Sequence, residues 1–195
     1  MRRPAEELIP GALEKYTHDL TALARQGRFA PLQRREKEVV RVFQILARRL
    51  KNNPMLIGEP GGDRFPIVAE VIRRISTDKV PEGITIQRVV ALDLEKLIAD
   101  TQRRGDFEKL LKSVFAEIKQ SEGKTALFVD NFHKLAGAGA AEKCIDAANV
   151  LIPALARKEV TIIGTSTLDD YPKYVERDQS LQRRFQEVIV SERSE

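Results

Sequence analysis

At 195 residues the chain has the length of one domain, and 42% hydrophobic residues are enough to close a core. Its 33 basic residues interleave with 29 acidic ones for a net charge of +4, which describes a mixed solvated surface and disfavours a nucleic-acid stripe. A single cysteine, Cys144, excludes an internal disulfide, and no leader or long apolar run is present, so the expectation is a cytoplasmic protein without a membrane partner.

Residues 1–11 are charged, carry Pro4, Pro10 and Gly11, and read as a linker. Leu13, Tyr16, Leu20 and Leu23 recur at helical spacing and predict one helix over 12–24. Gly27 and Pro31 mark a loop. Val39, Val42, Phe43, Leu46 and Leu50 then predict a second helix over 34–51. From there strands and helices alternate: strand 54–58, helix 66–75, strand 88–94, helix 107–121, and strand 125–130, which is apolar enough to be covered on both faces. Helix 141–156, strand 160–164, a charged helix over 168–185 and strand 187–190 complete the series. Such alternation is the pattern of an α/β doubly wound parallel sheet flanked by helices. Cys144 falls in the Ala-rich helix as a small core residue, and the lone His133 precedes that helix.

Between the first of these strands and its helix stands Gly58-Glu59-Pro60-Gly61-Gly62-Asp63-Arg64-Phe65-Pro66. A phosphate-binding loop belongs in that place, with the pattern G-x-x-x-x-G-K-[S/T]: amides around phosphate, a Lys on the outer phosphates, a hydroxyl on magnesium. Gly58 keeps the first position, whereas Asp63, Arg64 and Phe65 stand for the Gly, the Lys and the hydroxyl. Asp63 sets a carboxylate against any polyphosphate. Arg64 keeps the charge but as a planar fork, and Phe65 offers magnesium no oxygen. Pro66 biases Phe65 away from the helical region, so the helix is predicted to start at Pro66 and not two residues earlier. An ordinary strand–turn–helix corner that never holds a nucleotide would carry the same residues.

Several collinear stretches resemble a known family. They include Leu13-Glu14-Lys15-Tyr16-Thr17-His18-Asp19-Leu20-Thr21, Lys51-Asn52-Asn53-Pro54, Arg104-Gly105-Asp106-Phe107-Glu108 and Arg183-Arg184-Phe185. The chain is similar to the large subdomain of the first ATPase module of ClpB-type protein disaggregases, in the Clp branch of the AAA+ superfamily. The resemblance runs from Ala12 to Val190 and implies an AAA+ P-loop-type sheet of order 5-1-4-3-2, with 12–191 as the α/β subdomain and 192–195 as a tail. It also implies rings, typically hexameric, with nucleotide between neighbours. The helical lid that follows in the family is absent from the sequence.

Residue by residue the resemblance is uneven. The loop near Pro31 would hold adenine with an aliphatic-Gly-Arg motif, and here reads Leu32-Gln33-Arg34. The acidic pair that ends the third strand, for magnesium and for polarising water, reads Asp130-Asn131. An amide takes no proton from water, so general-base help is lost; Asp130 would be the metal-side residue if magnesium binds, or else a strand-end turn residue. Thr167 stands at the polar sensor position. The substrate-gripping loop, Arg103-Arg104-Gly105, has Arg103 where the family places an aromatic, and an Arg does not replace that apolar contact. Arg183 and Arg184 match arginine fingers that act on a neighbour's phosphates, or form a solvated pair on a charged helix. The combined expectation is a pseudo-ATPase with degenerate Walker A and B motifs, serving as scaffold or partner subunit to Clp-type subunits, to itself or to other proteins. No cofactor is expected. Weak ATP or ADP with magnesium, slow hydrolysis, or binding of nucleic acid through the Arg pairs are the alternatives.

Overall fold

The computed structural model describes residues 7–62, 64–137 and 147–191, and of Arg104 the backbone alone. Six strands form one sheet in the order β1-β3-β4-β5-β2-β6. They are β1 Thr17–Asp19, β2 Asn53–Gly58, β3 Arg88–Leu92, β4 Thr125–Val129, β5 Thr161–Thr167 and β6 Phe185–Val190. The pairs β3–β4, β4–β5, β5–β2 and β2–β6 are parallel, and only β1 runs antiparallel, on the outer side of β3. Setting β1 aside, the expected 5-1-4-3-2 order is the observed one.

Alternating residues divide the core into two layers, as the pleat requires. Met55, Ile57, Val90, Leu127, Val129 and Ile162 face α1 (Ala12–Tyr16), α6 (Arg104–Lys119) and α7 (Ala148–Ala156). Leu56, Val89, Ala126, Phe128, Ile163 and Val188 face α2 (Leu20–Arg25), α3 (Glu36–Leu46) and α4 (Arg64–Ser76). Every residue of β2 and β4 is buried. Pro54 takes a donor out of β2, the strand with neighbours on both sides, where proline is otherwise avoided. The buried Asn53 side chain offsets this. Its Oδ1 accepts from Ile162 N at 2.8 Å and its Nδ2 donates to Arg184 O at 2.9 Å, so one amide ties β2 to both neighbours.

Several elements differ from their sequence expectation. The helix over 12–24 is two short helices, α1 and α2, separated by β1. Residues Thr17, His18 and Asp19 pair with Leu92, Ala91 and Val90, and Asp19 caps α2 by accepting from Ala22 N at 2.9 Å. Tertiary pairing with the edge of β3 overrides the helical period there. The helix over 34–51 contracts to α3. Helix α4 begins at Arg64, not at Pro66. Pro66 sits in the first turn, where backbone N–H groups have no partner within the helix, so its missing donor costs nothing. The helix over 107–121 begins earlier, at Arg104, because Asp106 reaches back to the N–H groups of Arg103 (2.7 Å) and Gln102 (3.2 Å). Strand β5 runs on to Thr167, following its pairing with Gly58. The charged helix over 168–185 is instead a π-helical turn at Pro172–Glu176, a four-residue α8 (Gln179–Gln182) capped by Asp178, and the start of β6. Phe185 is fully buried against Phe132, ring centroids 4.8 Å apart. Of the helix over 141–156 only α7 lies within the described residues; Asp63 and Cys144 lie outside them.

The loop ahead of α3 is fastened to α4 through Glu70, whose side chain is 2% exposed. Its carboxylate accepts from Arg73 Nε and Nη2 and from Arg74 Nε, each at 2.8 Å, and from Leu32 N at 3.2 Å, while Arg74 also grips Glu36. Arg73 foremost, then Arg74 and the Leu32 N–H, hold the Glu70 carboxyl down from the usual 4.5 to about 2, against the opposing effect of burial. Because the folded-state value is depressed, the stabilisation is complete above the ordinary carboxylate range and disappears as pH falls from 4.5 to about 2. Glu70→Gln is expected to cost about 3 kcal/mol at neutral pH. It should also flatten the acid side of the stability curve across that window, read by urea unfolding at a series of pH values.

Candidate functional site

The turn from β2 into α4 lies at the carboxyl end of the parallel strands, where open α/β sheets place their ligands. Gly58 must be glycine: a Cβ there would stand 2.8 Å from the carbonyl oxygen of Val190. Gly61 has φ +79°, the left-handed region that side chains resist. Two of the loop's amides are bonded inward. Gly62 N donates to Glu59 O at 3.0 Å and Arg64 N to Gly62 O at 2.8 Å.

Arg64 is buried, and its Nη1 donates to the carbonyls of Gly58 (3.3 Å) and Ser166. Among the described residues no carboxylate pairs with it; carbonyl dipoles at the ends of β2 and β5 answer its charge. Phe65 places its ring 5.9 Å from both Phe29 and Phe128, edge-on to the first and tilted to the second. A cavity of about 320 Å³ remains, lined by Arg35, Gly58, Glu59, Gly62, Arg64 and Val190. Arg35 lines this cavity, whereas Arg34, the arginine expected on the adenine side, is exposed and is not among the lining residues. Arg35 adopts φ +74° ahead of α3 and pairs with Glu38 at 3.2 Å. An arginine just before a first-turn acidic residue was the available signal.

One strand over, Thr165 organises the end of β4. Its Oγ1 donates to Asp130 Oδ1 at 2.5 Å and accepts from Asn131 N at 2.9 Å. Asn131 has φ +49°, a region Asn tolerates better than Glu. Thr167 Oγ1 donates to Asp170 Oδ2 at 2.7 Å and accepts from Asp170 N at 3.0 Å, so its hydroxyl is engaged in its own turn. Thr165, missed in the sequence, is the residue that touches Asp130. Arg103 stands as N-cap of α6, with Arg104 and Gly105 in the first turn. Arg183 is exposed at the end of α8; Arg184 is half-buried with Nε lacking a hydrogen-bond partner. Among the described residues no cluster of His, Cys, Asp or Glu is disposed to hold a metal ion.

Residues 55–193 match the model of the ATPase family associated with various cellular activities (AAA). The chain belongs to that AAA family. It is of ClpB type: over 189 residues it is 47% identical to the chaperone protein ClpB of Vibrio cholerae, covering 97% of this chain and 22% of that one. The chloroplastic chaperone protein ClpB2 of rice is 49% identical over 183 residues, covering 94% of this chain and 19% of that one. The ADP complex of Saccharomyces cerevisiae Hsp104 superposes with a TM-score of 0.83 at 42% identity, covering 93% of this chain and 31% of that one. The AAA chain described here thus spans about a fifth of the length of these curated relatives. Among the described residues no helix is long and apolar enough to cross a membrane.

If the guanidinium holds this corner of the AAA fold together, Arg64→Leu should destabilise the chain by about 1–3 kcal/mol, since two carbonyls lose a charged donor. The check is a thermal melt beside that of Arg34→Leu, an exposed residue that should change little.

Proposed function

We propose that this chain is a ClpB-like AAA+ module that does not turn over ATP, binds nucleotide weakly or not at all, and serves in the cytoplasm as a scaffold or partner subunit of a Clp-type chaperone ring. The observation that carries this reading is the Arg64 guanidinium, folded onto the carbonyls of Gly58 and Ser166 where the family's cation meets phosphate. The residues present do not fit a magnesium–triphosphate. The Gly62 and Arg64 amides are already bonded within the loop, Phe65 supplies a ring in place of a metal ligand, and Asn131 is no base. Arg183, exposed ahead of β6, and Arg184 beside it are the residues through which such a module would act on a neighbour's site.

A second reading, a slow ATPase, draws on the ordered Asp130 held by Thr165 and on Gly61 and Gly62. Calorimetry with ATP and magnesium separates the two. No heat of binding and no rise in melting temperature are expected. Ligand at a hundredfold excess over its Kd would instead add about 2.7 kcal/mol of stability, and hydrolysis abolished by Asp130→Ala would establish the second reading. The combined variant Asp63→Gly, Arg64→Lys and Phe65→Thr should gain ATP binding, seen as a nucleotide-dependent melting shift. For action in trans, the chain is mixed with an active ClpB relative and ATP turnover is followed. Wild type should change the rate and Arg183→Ala plus Arg184→Ala should not; indistinguishable effects would sink that version.

A further inference from the structure

A second cavity, about 750 Å³, opens over the ends of β3, β4 and β5 and shares no lining residue with the phosphate corner. Its floor is aliphatic, from Leu92, Leu94 and Ile98, all half-buried. Among the described residues four carboxylates border it, Asp93, Glu95, Asp130 and Asp170, against one ammonium, Lys134. Three of these acids are held in place, Asp130 by the Thr165 hydroxyl at 2.5 Å. Asp93 accepts from Lys96 N and faces His18 Nε2, each at 3.0 Å, and Asp170 accepts from Thr167 at 2.7 Å. Glu95 forms no ion pair among the described residues.

One wall is aromatic. Tyr174 stacks on His133 with ring centroids 6.1 Å and planes 29° apart. The His133 side chain is only 13% exposed. Its Nε2 stands 3.6 Å from Asp170 Oδ2, and its buried Nδ1 has no hydrogen-bond partner. Burial pushes this imidazole below the usual histidine range, with Asp170 opposing, so at neutral pH it adds no positive charge to the wall.

We propose that this cavity binds an arginine side chain presented by a polypeptide segment. The aliphatic floor suits the methylene stem of a long cationic side chain. The Tyr174–His133 stack suits the face of a planar guanidinium. The carboxylates suit its fork of N–H donors, which donates paired hydrogen bonds to one carboxylate in a planar geometry that an ammonium does not match. An anion is repelled by the same carboxylates, and a metal ion lacks a ligand cluster among the described residues. The cavity shares Asp130 and Asn131 with the nucleotide reading, but its test uses no nucleotide and varies Glu95 and Tyr174, which that reading does not use.

The test is fluorescence anisotropy with a short labelled peptide, uncharged except for one central arginine, titrated with the full chain at moderate salt. Saturable binding is expected, about tenfold weaker when arginine is replaced by its neutral isostere citrulline and weaker also with lysine. Glu95→Gln, at an exposed position, and Tyr174→Ala should each weaken binding by several-fold to about tenfold without lowering the melting temperature of the former. Equal affinity for the citrulline peptide, or unchanged binding by both variants, overturns the proposal. So does free arginine amide matching the peptide's affinity, since that would make the cavity a small-molecule site.

Discussion

Strand β2 is held between two strands that arrive from more than a hundred residues downstream, and everything at the candidate site depends on that arrangement. Gly58 ends beside Thr167 of β5 and Val190 of β6. The spacing to β6 is so close that no side chain fits at Gly58. Two carbonyls, those of Gly58 and Ser166, consequently converge at the mouth of the turn. A cation at residue 64 finds ready acceptors there, and the choice between Lys and Arg decides where its charge is directed. A compact ammonium on a flexible stem projects toward solvent and ligand; a planar fork with several donors is suited to bridging carbonyls within the protein.

Phe65 acts in the same direction by a different force. A hydroxyl at this place would face water or a metal, whereas the benzyl ring, still 42% exposed, covers part of itself against Phe29 and Phe128. Hydrogen bonding at Arg64 and apolar contact at Phe65 thereby draw the first turn of α4 back onto the sheet and the preceding loop. Glu70, a turn and a half further along α4, fastens the same loop through Leu32. The loop ahead of α3, the turn after β2 and the end of β5 are thereby joined by internal contacts around the cavity of about 320 Å³.

At the other end of the strand tips the character reverses. Around the phosphate corner the charged lining is cationic apart from Glu59, while around β3 and β4 it is carboxylate-rich. A net charge of +4 conceals this separation, because charges that lie far apart in sequence are gathered by the crossover connections of the sheet. Asp93, Asp130 and Asp170 come after three different strands and meet only because β3, β4 and β5 are neighbours.

The sequence by itself determined the class of fold and most of its elements. Runs such as Met55-Leu56-Ile57 and Ala126-Leu127-Phe128-Val129 are apolar on both faces and, alternating with helical stretches, read as interior parallel strands. It also set Arg64 and Phe65 after the first parallel strand and Asn131 after the third. Only the tertiary structure decided where those side chains go. Arg64 and Ser166 are 102 residues apart, so no local pattern announces their bond. The break in the first helix comes from pairing of Thr17 with Leu92, also distant in sequence, and the start of α4 at Arg64 from contacts that outweigh the bias imposed by Pro66. Periodicity reports which face of an element is buried. It carries no information on which buried partner a polar side chain will meet, since that partner is supplied by a strand brought alongside only when the sheet closes.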